Sequence, residues 1–284
     1  MQLTHPSTHT IAFIRPEEGA NAGLVRTASG TVVVDTTFSP HEMATLLGAA
    51  EEDPAGVSLV INTHFHSDHT WGNQLFDCPI LSQRLCRERM EQNLAASWSA
   101  QAIAEWITEV EKSDPAMAAG IRVEMAELHI TLPTEVFEDR FNLLLGGVRL
   151  ETIHMGGHTP GSAVVWLPDE GVLFAGDLIF ARCYPYAGDA DVPAYIDALK
   201  QLPAFGAQYI VPGHGEPCGE AEIQAQVDYL EETWARTAEH VAQGHDEEEA
   251  VADPGYPRPW EAGAERMHGM NIRRMYGLLM ERAT

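Results

Sequence analysis

Three histidines and an aspartate fall within six positions of the segment THFHSDHTWGN, residues 63–73. They are His64, His66, Asp68 and His69. A buried imidazole needs a partner for each ring nitrogen, so a cluster of three costs stability unless a common partner organises it. A metal ion is such a partner, because imidazole nitrogen and carboxylate oxygen bind zinc, manganese and iron.

Three further candidate ligands follow apolar, strand-like runs later in the chain. They are His158 in GGHTPGS, Asp177 in FAGD and His214 in VPGHGEP. Glycines beside each residue allow the backbone to turn sharply and to approach an ion closely. Loops at strand ends along one sheet edge are where open α/β architectures place their sites. We therefore expect these residues to join the histidine cluster.

Seven candidate ligands are too many for one four-coordinate ion and suit two. We assign His64, His66 and His158 to one ion, Asp68, His69 and His214 to the other, and Asp177 to a bridge between them. No cysteine belongs to the set, which argues against a closed structural zinc site. The expected cofactors are two divalent ions, with zinc placed first and manganese or iron as alternatives.

Short β-branched runs predict strands, and 3.6-residue periodicity predicts helices. The predicted strands are TVVVD (31–35), SLVIN (58–62), VRLETIHM (148–155), AVVWL (163–167), VLFAG (172–176) and YIVPG (209–213). The predicted helices are 41–50, 191–202 and 220–243. Strand clusters alternate with helices in two halves, which favours layered sheets with helices outside.

We predict one domain over residues 1–284, with C-terminal helices at about 220–284. Residues 83 to about 128 are helical in character and form an expected hairpin inserted before the next strand, broken at Pro115. The insertion either caps the site, with Trp98 and Trp106 as apolar anchors, or only adds packing.

The chain carries 42 acidic and 17 basic residues, a net charge of −25. Such a surface repels nucleic acids and anionic membranes, so a small-molecule substrate is expected. Four cysteines without CxxC pairing, no evident signal peptide and no long apolar run predict a cytoplasmic protein that crosses no membrane. The pattern leaves the oligomeric state open.

The motifs HFHSDH, GGHTPGS, GD and PGHG, in this order, resemble the metallo-β-lactamase-fold hydrolase superfamily over residues of about 10 to 220. The resemblance implies a four-layer αββα sandwich with a dinuclear site along one sheet edge. A bridging aspartate at Asp177 is similar to glyoxalase II-like and lactonase-like members. By the same resemblance, Tyr184 or Tyr186 is an oxyanion donor, although CYPY also reads as a packed loop.

The expected function is hydrolysis of a carboxylic ester, thioester or lactone by a hydroxide held between two metal ions. Asp68 is the expected proton carrier when the leaving group departs. The main alternative is a mononuclear-iron redox enzyme of the persulfide dioxygenase type. A β-lactamase and a phosphodiesterase or nuclease rank lower, the last because of the acidic charge.

Two expectations concern residues near or beyond the ligand set. Asp35, which ends TVVVD, either orients a ligand imidazole or forms a turn. The histidines in no ligand pattern are expected at the surface: His5, His9, His41, His129, His240, His245 and His268.

Overall fold

The computed structural model describes residues 1–15, 19–260 and 265–283. Two β-sheets lie face to face, and helices cover their outer faces. The predicted four-layer α/β architecture is therefore confirmed. In the described residues, no helix combines the length and the apolarity that crossing a bilayer requires.

The first sheet contains seven strands in chain order. Its strands are β1 (Gln2–Thr4), β2 (Thr10–Ile14), β3 (Ala22–Thr27), β4 (Gly30–Val34), β5 (Val57–Asn62), β6 (Ile80–Gln83) and β7 (Glu135–Phe137). Strands β1 to β4 pair antiparallel, and β4 to β7 pair parallel. Parallel pairing brings the carboxyl ends of β4 and β5 to the same sheet edge.

The second sheet has the order β12-β11-β10-β9-β8. Its strands are β8 (Arg140–Leu145), β9 (Val148–His154), β10 (Ala163–Leu167), β11 (Val172–Phe180) and β12 (Tyr209–His214). Only β11 and β12 pair parallel in this sheet. The ends of these two strands therefore meet at one edge.

Helices connect and flank the sheets. They are α1 (Pro40–Ala49), α2 (Ser67–Thr70), α3 (Arg84–Leu94), α4 (Ala100–Ser113), α5 (Pro115–Glu124), α6 (Val192–Gln201), α7 (Glu220–Gln243), α8 (Glu247–Ala252) and α9 (Glu265–Ala283). Helix α1 packs on the outer face of the first sheet, and α6, α7 and α9 pack on that of the second.

An apolar layer between the sheets holds the two halves together. Ile61 and Val34 from the first sheet meet Val165, Phe174 and Val211 from the second, and all five are at most 2% exposed. Burial of such side chains stabilises each by about 1.5–3 kcal/mol. The layer fixes the sheet edges on which the candidate ligands stand.

The sequence prediction matches some elements and misses others of similar length. AVVWL and the helix at 220–243 are found with the predicted bounds, whereas β1–β3 and β6–β8 were not predicted. Residues 84–124 hold three helices instead of a hairpin, and β6 precedes them. The predicted break at Pro115 is confirmed, because Asp114 caps α5 through the Met117 amide.

Candidate metal centre

The predicted ligands gather at the edge where the parallel strands of both sheets end. His64, His66, Asp68 and His69 follow β5, and His158 follows β9. Asp177 lies within β11, and His214 is the last residue of β12. The structure thus brings all seven predicted ligands to one edge, where they form two groups. Within each group, the donor atoms lie within 4.8 Å of one another.

The first group consists of three histidines and Asp177. His66 Nδ1 lies 3.0 Å from His64 Nε2 and 3.1 Å from His158 Nε2. The Asp177 Oδ2 atom is 3.6 Å from both of these Nε2 atoms. Three ring nitrogens and one carboxylate oxygen therefore face a common point.

The second group consists of Asp68, His69 and His214. Asp68 Oδ2 lies 3.3 Å from His214 Nε2 and 3.9 Å from His69 Nε2. Asp177 also reaches this group, because its Oδ1 is 3.0 Å from His69 Nε2 and its Oδ2 is 3.4 Å from His214 Nε2. Asp177 thus lies close to the donor atoms of both groups.

Two buried atoms at this junction have no hydrogen-bond partner among the described residues. They are His69 Nε2 and Asp177 Oδ1, which lie 3.0 Å apart but do not have the geometry of a hydrogen bond. A buried polar atom without a partner costs about 1–3 kcal/mol. Because both atoms are buried with imidazole and carboxylate donors around them, the residues fit divalent metal ions.

The outer nitrogens of the ligand histidines are held by hydrogen bonds. His69 Nδ1 donates to Asp35 Oδ2 over 2.8 Å, and His158 Nδ1 donates to the Tyr186 carbonyl over 3.0 Å. Such bonds fix the tautomer and direct the other nitrogen inward. Asp35 is buried and also accepts from the amide and hydroxyl of Thr63. Of the two roles considered for Asp35, the contact with a ligand imidazole is observed.

Asp189 is a residue that the sequence reasoning missed. Its Oδ2 accepts from His66 Nε2 over 3.1 Å, and its Oδ1 accepts from Arg89 over 3.2 Å. The bond keeps the proton of His66 on Nε2, so the Nδ1 lone pair faces the cluster. No motif surrounds Asp189, and 123 positions separate it from His66. Only the fold reveals the contact.

The electrostatics of the two groups differ. Burial, reinforced by neighbouring imidazoles, lowers the pKa of His64 and brings that of His158 to about 3. Burial also acts to lower the pKa of His214, but Asp177 and Asp68 outweigh it and raise that pKa to about 9. Neutral imidazole is the metal-binding form. His64 and His158 therefore present neutral nitrogens, whereas His214 would have to lose a proton to hold an ion.

A cavity of about 680 Å³ opens onto the cluster. Trp98, from the segment between α3 and α4, lines it, whereas Trp106 is 42% exposed and packs against Phe38. Tyr184 and Tyr186 both line the cavity. The Tyr186 ring lies 5.4 Å from the His66 ring, whereas Tyr184 packs within an aromatic cluster.

The first glycine of VPGHGEP, Gly213, makes room for the Asp177 carboxylate. A Cβ atom built on Gly213 would lie 1.9 Å from Asp177 Oδ1 and 2.7 Å from the Asp177 amide nitrogen. Real Cβ atoms do not approach other heavy atoms so closely. Gly213 therefore serves the site through the space that it leaves.

The expectation that His268 lies at the surface is wrong. It is 3% exposed, and its Nδ1 accepts from the Tyr229 hydroxyl over 2.8 Å. The reason is that α9 turns this face against α7 and the aromatic side chains beside it.

Comparison with curated proteins gives low-identity relatives. The chain is 27% identical over 216 residues to the acyl-coenzyme A thioesterase MBLAC2 of Homo sapiens, covering 71% of this chain and 75% of the relative. It is 21% identical to a linear primary-alkylsulfatase of Pseudomonas sp. over 68% of this chain and 41% of the relative. A type 2 metallo-beta-lactamase of Bacteroides fragilis is 35% identical, but only over 96 residues, 32% of this chain and 39% of the relative.

Solved structures share the fold. A metallo-beta-lactamase from Pontibacter korlensis matches with a TM-score of 0.61 at 20% identity, over 81% of this chain and 98% of the other. The sec-alkylsulfatase Pisa1 from Pseudomonas sp. matches with a TM-score of 0.75 at 16% identity, over 97% of this chain and 50% of the other.

The predicted hydrolase is confirmed by these relatives together with the family comparison. The family model described as the metallo-beta-lactamase superfamily matches residues 15–77 and 91–214, which contain all seven candidate ligands. The chain therefore belongs to the metallo-beta-lactamase superfamily.

Proposed function

We propose that the chain hydrolyses a carboxylic ester, thioester or lactone at a centre of two divalent ions, with zinc as the first choice. The observation that carries the proposal is the position of Asp177, whose two oxygens face both ligand groups at 3.0–3.6 Å. Divalent ions in such a centre act as Lewis acids that polarise a carbonyl and acidify water.

A residue beside this centre can accept a proton and donate it again. Asp68 is 30% exposed and faces the cavity. Burial opposes ionisation of Asp68, but His69 and His214 hold its pKa well below the usual range. We assign Asp68 the task of accepting a proton and passing it to the leaving group, since a carboxylate that borders the cavity can reach both.

A hydroxyl donor is also available beside the ligands. We assign to Tyr186 the stabilisation of the oxyanion, because its ring lies 5.4 Å from His66 and 6.3 Å from His158. Its hydroxyl now lies 3.5 Å from Asp189 Oδ2, a long hydrogen bond that a stronger acceptor can replace. The position of Tyr184 inside an aromatic cluster favours a packing role for that residue.

The charge and the cavity lining favour carboxylic substrates over nucleic acids. Phe65, Trp98 and Phe180 give the cavity an apolar wall, which suits an acyl chain. The net charge of −25 opposes a polyanionic substrate. The thioesterase named among the relatives supports thioesters within the proposed class.

The test is metal content per chain, by elemental analysis of protein purified without added metal or chelator. Two ions in the wild type and fewer in Asp177→Ala are expected, whereas Asp169→Ala, which changes an exposed aspartate bonded to Arg149, retains two. The same preparations are then assayed on an aryl ester, a thioester and a lactone. One iron per chain, unchanged in Asp177→Ala, would overturn the proposal in favour of redox chemistry.

A further inference from the structure

A second cavity of about 400 Å³ adjoins the cavity that opens onto the ligands. The two share Phe65, Arg89 and Asp189 as a common wall. Asp177 lines the first cavity, and Arg274 of α9 lines the second. A substrate whose carbonyl lies at Asp177 can therefore extend across this wall into the second cavity.

The second cavity is lined by two arginines, although the chain as a whole is strongly acidic. Two guanidinium groups line it, those of Arg89 and Arg274. Its two carboxylates are already engaged, because Glu88 accepts from Arg84 and Asp189 accepts from His66. Asp189 also accepts from Arg89 over 3.2 Å, so Arg274 is the cationic group that the cavity's own carboxylates do not pair.

Of the two arginines, Arg274 gives the stronger evidence that the cavity binds an anion. Its Nε donates to the Ala190 carbonyl over 2.9 Å, and among the described residues no carboxylate lies within ion-pair distance of it. The next residue, Arg273, bonds instead to Glu247 and Glu248, at 2.6 Å to each. A guanidinium without a carboxylate partner offers the fork of N–H donors that binds a carboxylate or a phosphate.

Arg89 is held where it can act with Arg274. One of its terminal nitrogens donates to Asp189, and its guanidinium lies 5.4 Å from the centre of the Phe65 ring. These two contacts restrain the side chain at the shared wall, so a ligand pays little ordering entropy to use its remaining donors.

We propose that the second cavity, lined by Arg89 and Arg274, binds an anionic group on the part of the substrate that does not react. The group is a carboxylate or a phosphate, since both accept paired N–H donors. The inference rests on the proposed hydrolysis and narrows it to esters and thioesters that carry such a group.

The experiment compares three acetyl thioesters that differ only in the thiol part. S-acetyl-N-acetylcysteamine is neutral there, S-acetyl-3-mercaptopropionate carries a carboxylate, and acetyl-coenzyme A carries phosphates. We expect kcat/KM for one of the anionic thioesters to exceed that for the neutral one by about tenfold, through a lower KM. The preferred anionic thioester identifies the group, and raised salt reduces the preference.

Arg274→Gln is expected to reduce this preference by about tenfold, whereas Arg273→Gln, the matched change one residue away, retains it. Anion binding can also be measured without catalysis, by calorimetric titration of adenosine 3′,5′-bisphosphate and of glutarate into chelator-treated protein. We expect Arg274→Gln to raise the dissociation constant of the anion that binds. Equal kcat/KM for neutral and anionic thioesters, with no effect of Arg274→Gln, overturns the inference. Failure of the metal-loaded wild type on all three thioesters refutes the thioester part of the proposed function instead.

Discussion

Replacing Asp35 by asparagine is expected to weaken metal binding at the second ligand group. Asp35 Oδ2 accepts from His69 Nδ1 and from the Thr63 hydroxyl, and its Oδ1 accepts from the Thr63 amide. An asparagine has only one acceptor oxygen, so either orientation of its amide places an N–H group against a donor. When that group faces His69, the histidine proton moves to Nε2, the nitrogen that faces Asp177.

The backbone does not confound this substitution. Asp35 has a φ of 58°, in the left-handed region that asparagine and aspartate tolerate better than other side chains with a Cβ atom. Loss of such an outer hydrogen bond lowers metal affinity by about 10–100-fold. This range corresponds to about 1.4–2.8 kcal/mol of binding free energy.

The assay is competition with a colorimetric chelator, which gives a dissociation constant for each ion. We expect the tenfold to hundredfold loss to concern one ion of the two, because His69 belongs to one group. Asp253→Asn is the matched control, since Asp253 Oδ2 also accepts from a histidine, His240, at 2.8 Å but outside the ligand set. Unchanged dissociation constants for both ions in a folded Asp35→Asn protein would refute the reasoning.

Three further results are expected. Tyr186→Phe lowers kcat by about 100-fold in steady-state kinetics, whereas Tyr184→Phe lowers it far less, since only Tyr186 faces the ligand histidines. Burial and Arg258 lower the pKa of His268 from 6.5 to about 4, so the unfolded state binds more protons between these values. The free energy of unfolding in urea therefore falls as the pH drops from 6.5 towards 4, and His268→Gln flattens this slope. Chelation lowers the melting temperature and added zinc restores it, because an ion that binds only the folded chain stabilises it.

The site residues that can be predicted from the sequence are those that belong to local motifs. His64, His66, Asp68 and His69 stand together in the chain, and His158 and His214 are marked by adjacent glycines. Their meeting follows from strand ends, which apolar runs locate well. Asp189 and Arg274 have no such neighbouring motif, because contacts across the fold give each its place beside the site.

The secondary structure also contains elements that the sequence predicts and elements that it does not. AVVWL is five apolar residues between turns and is found as β10 with the predicted bounds. Strands β1 and β7 span three residues each, which are too few to show a period of two in the sequence. Their pairing partners supply the hydrogen bonds that define them. His268 was misplaced for a related reason, since the aromatic neighbours that bury it come from other parts of the chain.

Gly213 has a consequence for how sequence variation at this centre should be read. The residue has no side chain and is not among the seven candidate ligands, yet a methyl group there collides with the Asp177 carboxylate. In a saturation library selected for activity, position 213 will therefore tolerate as little as the ligand positions do. Low mutational tolerance thus identifies positions that must leave space empty as well as positions that take part in the chemistry. Gly213 is a position of the first kind, because the Asp177 carboxylate needs the space beside it.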